Sequence, residues 1–309
     1  MDGALIVDKP AGVTSHDVVA RVRRLVGTRR VGHTGTLDPF ATGVLVVLVG
    51  KATRLMQFLS ASEKEYEAVI RLGYATDTGD ITGTPVPPGP DAQEAKHLRK
   101  EEIEAAMASL RGEIAQVPPM YSAKKIKGRK LYELARSGEQ IERQAVPVKI
   151  SAFEALAKDG VPMQINDDDT TRDLAVRVVC SAGTYVRTLA EDFGKLLGVG
   201  AHLAELRRTR AGDFGVAQAN TITRLTELAD ADAIDEVIIS PDAILAHFPA
   251  LDLNDDEVRR VLSGIDVQCH STLENEQCVR LRSQAGELIA VGVYDAARKM
   301  VHPRVVLSK

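Results

Sequence analysis

Tryptophan is absent from the 309-residue chain, and tyrosine and phenylalanine occur only six times each. The three cysteines, Cys180, Cys269 and Cys278, have no C-x-x-C spacing, so the sequence predicts neither a disulfide framework nor a zinc site. No apolar run is long enough to cross a membrane, and the N-terminus lacks a signal-peptide pattern. The formal net charge of -4 argues against a uniformly basic nucleic-acid binder, but it is compatible with a local basic face. We therefore expect a cytoplasmic protein with about two domains.

One stretch, residues 32–43 with the sequence GHTGTLDPFATG, places three glycines, a proline and small hydroxyl residues around a single carboxylate, Asp38. Glycine permits unusual backbone angles, and Pro39 restricts the residue before it, so Asp38 is expected in a preset loop. A buried strand is predicted directly afterwards, at Val44–Val49. Catalytic groups are commonly held on such loops. From this stretch alone, a turn whose aspartate caps backbone amides is an equally good interpretation.

Hydrophobic periodicity predicts both helices and strands along the chain. The predicted strands are Ala4–Val7, Tyr66–Leu72 and Leu174–Cys180. The predicted helices run from Thr14 or Ser15 to Val26, from Lys100 to Leu110, and from about Val186 to Leu197. The apolar residues of the last helix are Leu189, Phe193, Leu196 and Leu197. The segment His202–Arg210 is interpreted as a basic stretch beside an apolar pair. Short, closely spaced strands after a boundary near residue 247 predict a small β-barrel or sandwich.

Two basic segments are candidates for contacts with a phosphate backbone. Both could equally be solvated surface, which is the commoner role of a charge run, but the first leads into the Asp38 loop and the second is interleaved with tyrosines. The candidate residues are Arg23, Arg24, Arg29 and Arg30 in the first segment, and Lys124, Lys125, Lys127, Arg129 and Lys130 in the second.

The sequence resembles the bacterial TruB-type tRNA pseudouridine synthases. An ordered series of motifs that spans nearly the whole chain carries the resemblance: Asp8–Ser15, Arg30–Gly43, Lys64-x-Tyr66, Thr76–Thr78, Gln116–Ala123, Gly183–Arg187 and Leu206–Arg208. The C-terminal part is similar to the PUA-type RNA-binding barrel that members of this family often carry.

The resemblance implies an α+β fold, with a mixed, mostly antiparallel sheet flanked by helices and a small C-terminal PUA-like barrel. It implies a catalytic domain at 1–246, with a basic RNA-gripping insertion at about 118–150, and an RNA-binding domain at 247–309. The implied reaction is isomerisation of uridine 55 in the T-loop of tRNA to pseudouridine, without a metal or organic cofactor. A monomer without a guide RNA or obligate protein partner is expected, because guide-dependent relatives usually carry terminal extensions, whereas this chain begins almost directly at Asp8.

The resemblance also assigns roles to individual residues. Asp38 is implied as the catalytic carboxylate, Arg187 as its ion-pair partner, and Tyr66 as the ring that stacks on the uracil and takes part in removal of the C5 proton. Without the resemblance, Arg187 would be a solvated helix residue and Tyr66 a core tyrosine. The implied substrate-binding residues are His33, Tyr185, Leu206, Lys9, Thr34 and Lys64.

Two other functions compete with the enzyme. One is a tRNA-binding or tRNA-folding module that acts on the T-arm, with chemistry secondary or absent. The other is a small-molecule hydrolase, which ranks last because no second catalytic carboxylate or Ser-His pair has a recognised spacing.

Overall fold

The computed structural model describes residues 1–87, 95–122, 124–126, 129–131, 141–156, 163–165 and 170–307. Its strands in chain order are β1 (Gly3–Lys9), β2 (Val31–His33), β3 (Thr42–Val49), β4 (Lys64–Leu72), β5 (Ala75–Thr76), β6 (Pro85–Val86), β7 (Gly112–Gln116), β8 (Lys125–Ile126), β9 (Arg129–Lys130), β10 (Val146–Ala155), β11 (Met163–Ile165), β12 (Arg172–Cys180), β13 (Ala201–Ala211), β14 (Phe214–Gly215), β15 (Asn220–Thr221), β16 (Ala250–Leu253), β17 (Val267–Gln268), β18 (Cys278–Ser283), β19 (Leu288–Asp295) and β20 (Met300–Val306).

The α-helices of the described residues are α1 (Ser15–Leu25), α2 (Met56–Leu59), α3 (Lys100–Ser109), α4 (Val186–Leu196), α5 (Ile222–Asp230), α6 (Pro241–Ile244) and α7 (Asp255–Leu262). Short 3-10 turns occur at Gly50–Leu55, Ala95–His97, Val216–Gln218 and Ile234–Val237. No helix in this part of the chain is long and apolar enough to cross a membrane.

The larger sheet has the strand order β15-β1-β3-β13-β4-β12-β10-β7, with β2, β11 and β14 paired beside this path. Neighbouring strands run antiparallel except in the pairs β1–β15 and β3–β13. Helices α4 and α3 pack near the β13, β12 and β10 side of this sheet, and α1 and α5 pack near β1 and β2. The predicted mixed, mostly antiparallel sheet flanked by helices is therefore confirmed.

The central strand β13 was not predicted, because its sequence was interpreted only as a basic stretch. It pairs with β4 along almost its whole length and with the start of β3. Two irregularities interrupt its pairing with β4, between Leu203 and Glu205 and between Arg208 and Arg210. Such bulges shift the alternation of side chains and conceal the period of two that identifies a strand in a sequence.

Helix α1 begins as the sequence predicted. The Thr14 hydroxyl accepts a hydrogen bond from the backbone N–H of Asp17, and the Asp17 carboxylate accepts one from the backbone N–H of Thr14. This reciprocal capping box satisfies donors that the first turn of a helix leaves unpaired. Val18 and Val22 are buried on the face that packs against the sheet, and Gly27, with φ +65°, follows the end of the helix.

Helix α4 packs on the sheet through a buried apolar face. Leu189 and Phe193 have no exposed surface, and the Phe193 ring lies edge-to-face with Phe153 at a centroid distance of 5.3 Å. Leu196 differs from the other predicted apolar residues of this helix, because it is 57% exposed. The chain turns after this point, and Leu197 is buried instead.

The C-terminal strands form a separate five-stranded sheet in the order β16-β18-β19-β20-β17. This curled sheet is consistent with the predicted PUA-like domain. One apolar cluster joins it to the larger sheet, because side chains of β3 pack in the same cluster as side chains of β19 and β20. The members from β3 are Val44, Val46 and Leu48, and those from the C-terminal sheet are Leu288, Val291 and Val305.

The contrast between two leucines of α4 gives a prediction about stability. Leu189→Ala should lower the free energy of unfolding by about 2–5 kcal/mol, because it removes buried apolar volume and leaves a cavity. Leu196→Ala makes the same chemical change on the exposed side of the same helix, and it should change stability by less than about 1 kcal/mol. Urea unfolding followed by circular dichroism measures both variants. Equal destabilisation by the two would contradict the described packing of α4.

Candidate active site

A cavity of about 280 Å³ opens where the Asp38 loop meets the middle of the larger sheet. Strands β4 and β13 form its floor, the 34–38 segment forms one wall, and the turn before α4 forms another. Its lining residues are Thr34, Gly35, Thr36, Leu37, Asp38, Ser60, Lys64, Tyr66, Ser122, Ser181, Gly183, Thr184, Tyr185, Val186, Arg187, Leu206 and Arg208.

The Asp38 loop is fixed by hydrogen bonds on both sides of the carboxylate. The Ser15 hydroxyl accepts from the Leu37 backbone N–H at 2.9 Å and lies 3.1 Å from the Leu37 carbonyl oxygen. On the other side, the Pro39 carbonyl accepts from the Gly12 backbone N–H at 2.8 Å. The start of α1 and the turn before it therefore hold the backbone of Asp38 in place.

Lys9 holds the same loop through hydrogen bonds from its buried amine. Its side chain is completely buried, and its Nζ donates to the main-chain carbonyls of Pro10, Val13 and Pro39 at 3.0, 2.7 and 3.3 Å. Burial is the largest influence on this amine and lowers its pKa to about 8, against the opposing effect of the Asp38 carboxylate. Lys9 is not among the cavity-lining residues, so the structure places it as a support of the loop.

Arg187 joins the Asp38 carboxylate through two of its nitrogens. Nε lies 2.8 Å from Oδ2, and Nη2 donates to Oδ1 at 3.2 Å. The same guanidinium donates to the carbonyl of Thr78 at 2.8 Å and to the carbonyl of Tyr121 at 2.7 Å, and it lies 3.7 Å from Asp80. Its side chain is 5% exposed, whereas that of Asp38 is 33% exposed. The pair therefore leaves the carboxylate accessible from the cavity and keeps the guanidinium inside the protein.

The protonation of Asp38 depends on two opposing effects. Burial is the larger and raises the pKa of this carboxyl above its usual range, because a charged group loses hydration inside the protein. The positive charge and hydrogen bonds of Arg187 act in the opposite direction and favour the ionised form. Arg187 is thus the strongest influence that keeps Asp38 ionised in this site.

Tyr66, Leu206 and Tyr185 all line the cavity. Tyr66 and Leu206 come from the paired strands β4 and β13, and both are 7% exposed. The Gln116 side chain fixes the backbone of Tyr185 by accepting from its N–H at 2.8 Å and donating to its carbonyl at 3.1 Å. Gln116 is completely buried, and sequence reasoning gave it no role although it lies in one of the motifs that carry the resemblance.

Arg208 is a second cationic side chain on the cavity wall that the sequence did not single out. It is 2% exposed, and it donates through Nε to the Val44 carbonyl at 2.6 Å and through Nη2 to the Gly35 carbonyl at 3.0 Å. It therefore connects β13 to the chain on both sides of Asp38, at Gly35 before it and at Val44 after it. The Leu206–Arg208 motif contained the signal, but only the strand register shows which of its two arginines faces inward.

The structure brings most of the predicted substrate-binding residues together. Thr34 and Lys64 line the cavity, and Lys64 Nζ donates to the carbonyls of Ser60 and Ser62 at 2.8 and 2.6 Å. Burial lowers the pKa of Lys64 to about 8. His33 does not line the cavity; its ring lies edge-to-face with that of His16 at 5.6 Å, and burial lowers its pKa to about 4.

The predicted phosphate contacts lie outside the cavity. The first-segment residues Arg23, Arg24, Arg29 and Arg30 are all exposed. In the second segment, β8 and β9 form a short hairpin that pairs Lys125 with Lys130, Lys124 is half-buried and Arg129 is exposed. Lys127 lies outside the described residues. Among the residues that the structure describes, no group of three or more His, Cys, Asp or Glu side chains is arranged to hold a metal ion.

Two family models match consecutive parts of the chain. The model of the TruB family pseudouridylate synthase N-terminal domain matches residues 23–186, and that of the tRNA pseudouridylate synthase B C-terminal domain matches residues 187–246. The boundary between the two matches falls at Arg187, so the Asp38–Arg187 pair joins the two matched regions.

Curated relatives are similar over most of their length. The chain is 49% identical to tRNA pseudouridine synthase B of Thermobifida fusca over 265 residues, which are 85% of each protein. It is 39% identical to the protein of the same name from Solibacter usitatus over 310 residues, which cover 99% of this chain and 100% of the relative.

Solved structures with the same fold include chains from two multi-component complexes. A Cbf5–Nop10–Gar1 complex contains a chain with 28% identity and a TM-score of 0.73, matched over 99% of this chain and 85% of that one. An H/ACA ribonucleoprotein bound to a substrate RNA containing 2′-deoxyuridine contains a chain with 27% identity and a TM-score of 0.72, again over 99% and 85%. The family models match residues 23–246 and the Solibacter usitatus relative aligns with 99% of the chain, so the protein belongs to the TruB family of pseudouridylate synthases.

Proposed function

We propose that this protein isomerises uridine 55 in the T-loop of tRNA to pseudouridine, with Asp38 as the essential carboxylate. Membership of a pseudouridylate synthase family supports an enzyme that isomerises uridine, and the relatives named tRNA pseudouridine synthase B support tRNA as the substrate. The observation that carries the proposal is the accessible Asp38 carboxylate, held by the buried guanidinium of Arg187 at the wall of a cavity.

The cavity suits a single flipped nucleoside. Its volume of about 280 Å³ lies just below the roughly 300–1,000 Å³ of pockets for drug-sized ligands. A base inside the folded T-loop is stacked, so an enzyme that acts on its glycosidic bond must first extrude it. The ring of Tyr66 offers an aromatic face for the extruded base, and Leu206 offers an apolar contact below it.

The reaction breaks the C1′–N1 bond and forms a C1′–C5 bond. The electron pair of the first bond leaves with N1, the uracil turns, and C5 then bonds to C1′; C5 loses its proton, and N1 gains one. No atom is added and no net oxidation occurs. Asp38 can act as a nucleophile or stabilise positive charge at the reacting centre, and both roles require an ionised, positioned carboxylate.

Tyr66 is proposed to bind the base mainly as a neutral phenol. Burial is the largest influence on this side chain and raises its pKa, so the phenol keeps its proton before the reaction. A neutral ring can stack on uracil directly. Acceptance of the C5 proton, the role that the resemblance implied, would require a base or the substrate to remove the phenolic proton first.

The proposed enzyme is a cytoplasmic monomer that needs no guide RNA and no obligate protein partner. Relatives that align with this chain over most of their length carry the name tRNA pseudouridine synthase B as single proteins, which supports this interpretation. The proposed division into a catalytic domain at 1–246 and an RNA-binding domain at 247–309 follows the change from the larger to the C-terminal sheet.

Removal of the Asp38 charge tests the reaction. Asp38→Asn should lower the single-turnover rate at least about a thousandfold, because a neutral amide can neither attack carbon nor stabilise positive charge as a carboxylate does. Formation of pseudouridine in T-arm RNA is mapped chemically for the wild type and the variant. Asp192→Asn is the matched control, since it neutralises a carboxylate on α4 that pairs only with Lys195 in the described structure.

Three outcomes separate the enzyme from its alternative. Product from the wild type and the control, but not from Asp38→Asn, supports the proposal. Product from Asp38→Asn at the wild-type rate would exclude the catalytic role of Asp38. Tight binding of T-arm RNA without any pseudouridine from the wild type would favour the tRNA-binding module.

The Arg187–Asp38 contact predicts a pH dependence. The ionised carboxylate is the reactive form, so activity is present above the pKa of Asp38 and is lost as the pH falls through it. Arg187→Lys keeps a positive charge but loses the two-point contact with Asp38, so the pKa of Asp38 should rise further. The acidic limb of the pH–rate profile, where activity falls as Asp38 is protonated, should therefore move to higher pH. Single-turnover rates from about pH 4 to about pH 8 record the limb.

The control for this profile is Arg71→Lys. Arg71 also makes a two-point contact with a carboxylate, that of Asp173, but it lies away from the cavity. Its replacement should leave the acidic limb in place. A limb that stays unchanged in Arg187→Lys would show that this arginine does not set the protonation of Asp38.

The exposed arginines predict a dependence on salt. Affinity for tRNA should fall steeply as the salt concentration rises, despite the net negative charge, because each phosphate contact releases a counterion. Replacement of Arg29 and Arg30 by alanine should reduce the slope of log Kd against log salt by roughly 1 for each of the two arginines that binds a phosphate. Arg99→Ala, an exposed arginine paired with Glu102, serves as the control. A binding constant that does not change with salt would contradict the phosphate contacts.

A further inference from the structure

The hydroxyl of Ser122 is buried on the cavity wall, and no described protein group forms a hydrogen bond with it. Ser122 is 5% exposed and lines the cavity, and its Oγ has no partner among the residues that the structure describes. Buried hydroxyls are nearly always paired, because loss of water without a replacement hydrogen bond is unfavourable. A hydroxyl on a cavity wall that no described protein group binds is therefore free to pair with whatever occupies the cavity, water in the free protein and a polar atom of the ligand in the complex.

The charged donors of the same cavity are already engaged within the protein. Arg187 donates to Asp38 and to two main-chain carbonyls, and Arg208 donates to the carbonyls of Val44 and Gly35. Lys64 donates to two main-chain carbonyls as well. These contacts fix the walls, whereas the Ser122 hydroxyl is not used to hold any described part of the chain.

The backbone next to Ser122 is tied directly to the reactive pair. The carbonyl of Tyr121 accepts from Nη2 of Arg187 at 2.7 Å, and the same Nη2 donates to Asp38. The carbonyl of Pro118, earlier in this segment, accepts from Arg143 at 3.0 Å. Ser122 therefore directly follows a residue whose backbone is held by the guanidinium that pairs with Asp38, and it lines the same cavity.

We infer that the Ser122 hydroxyl donates a hydrogen bond to an oxygen of the flipped nucleoside and thereby fixes its orientation over Asp38. This inference rests on the proposed function. The oxygen belongs to the uracil, at O2 or O4, or to the ribose, at the 2′-hydroxyl. Tyr66 and Leu206 provide an aromatic face and an apolar contact that any base could use. A buried hydroxyl that must be paired discriminates against ligands that lack a hydrogen-bond acceptor at that place, which apolar contacts cannot do.

The hydroxyl should affect activity and stability in different ways. Ser122→Ala should lower kcat/KM for T-arm RNA roughly tenfold, which corresponds to about 1.4 kcal/mol. It should leave the thermal stability of the free protein unchanged or slightly higher, because no described protein group forms a hydrogen bond with the hydroxyl that it removes. A merely structural serine would show the opposite pattern, with lower stability and little change in activity.

Two further variants serve as controls. Thr188→Val removes another buried hydroxyl that has no partner among the described residues. Thr188 lies on α4 next to Arg187 but not among the lining residues of the cavity, so its replacement should leave kcat/KM unchanged. Ser122→Thr retains a hydroxyl at the same position and should recover most of the rate lost in Ser122→Ala. An equal loss of rate in Thr188→Val would overturn the inference, because the effect would not depend on access to the cavity.

The nucleoside oxygen is identified by changing the RNA. T-arm RNAs that carry 4-thiouridine, 2-thiouridine or 2′-deoxyuridine at the target position weaken or remove one acceptor each. For the oxygen that Ser122 contacts, the effects of Ser122→Ala and of the altered RNA should be non-additive, whereas the other two RNAs should give additive effects. Non-additivity with either thiouridine assigns the contact to the base, and non-additivity with 2′-deoxyuridine assigns it to the ribose.

The possible failures are distinguishable. Full activity of Ser122→Ala, or additive effects with all three RNAs, would overturn the role of Ser122 while the wild type still forms pseudouridine. Absence of pseudouridine from the wild type would instead overturn the proposed function, and this inference with it.

Discussion

The contact between Arg187 and Asp38 is the interaction on which the arrangement of the site depends. A guanidinium that is 5% exposed is unfavourable inside a protein unless its charge and donors are matched. Asp38, the Thr78 carbonyl and the Tyr121 carbonyl supply that match, and they come from three segments that are distant in the sequence. The full set of contacts around Arg187 therefore forms only when these segments have come together, so the candidate site is assembled by the same tertiary packing that brings them together.

The centre of the larger sheet holds the loop that carries Asp38 in position for this contact. Parallel pairing of β13 with the start of β3 places Arg208 beside Gly43, where the Asp38 loop joins the sheet. Gly43 has a φ of +100°, and a Cβ there would overlap the main-chain carbonyl of Arg208. This glycine is required for close approach of two backbones as well as for the turn. Lys9 is buried beside the loop, and its amine donates hydrogen bonds to three main-chain carbonyls.

The features that could be predicted from the sequence are those that depend on residues close together in the chain. The start of α1 at Thr14 or Ser15, the apolar strand Val44–Val49 and the glycine-rich loop depend on neighbours in the chain, and all three were predicted; the reciprocal hydrogen bond to the Asp17 carboxylate was not. Long-range features were not. The strand β13 was concealed by its bulges, and the inward orientation of Arg208 follows from its register against β4. The unpaired hydroxyl of Ser122 is a property of the folded cavity, because only burial distinguishes it from an ordinary surface serine.

The apolar cluster shared by the two sheets has a consequence for how the protein unfolds. Val44, Val46 and Leu48 pack in one cluster with Leu288 and other residues of the C-terminal sheet, and they belong to the strand that follows the Asp38 loop. Loss of the C-terminal sheet would expose this apolar surface to water, which is unfavourable in proportion to its area. The two sheets are therefore energetically coupled, and they are expected to melt in one cooperative transition rather than as two independent units.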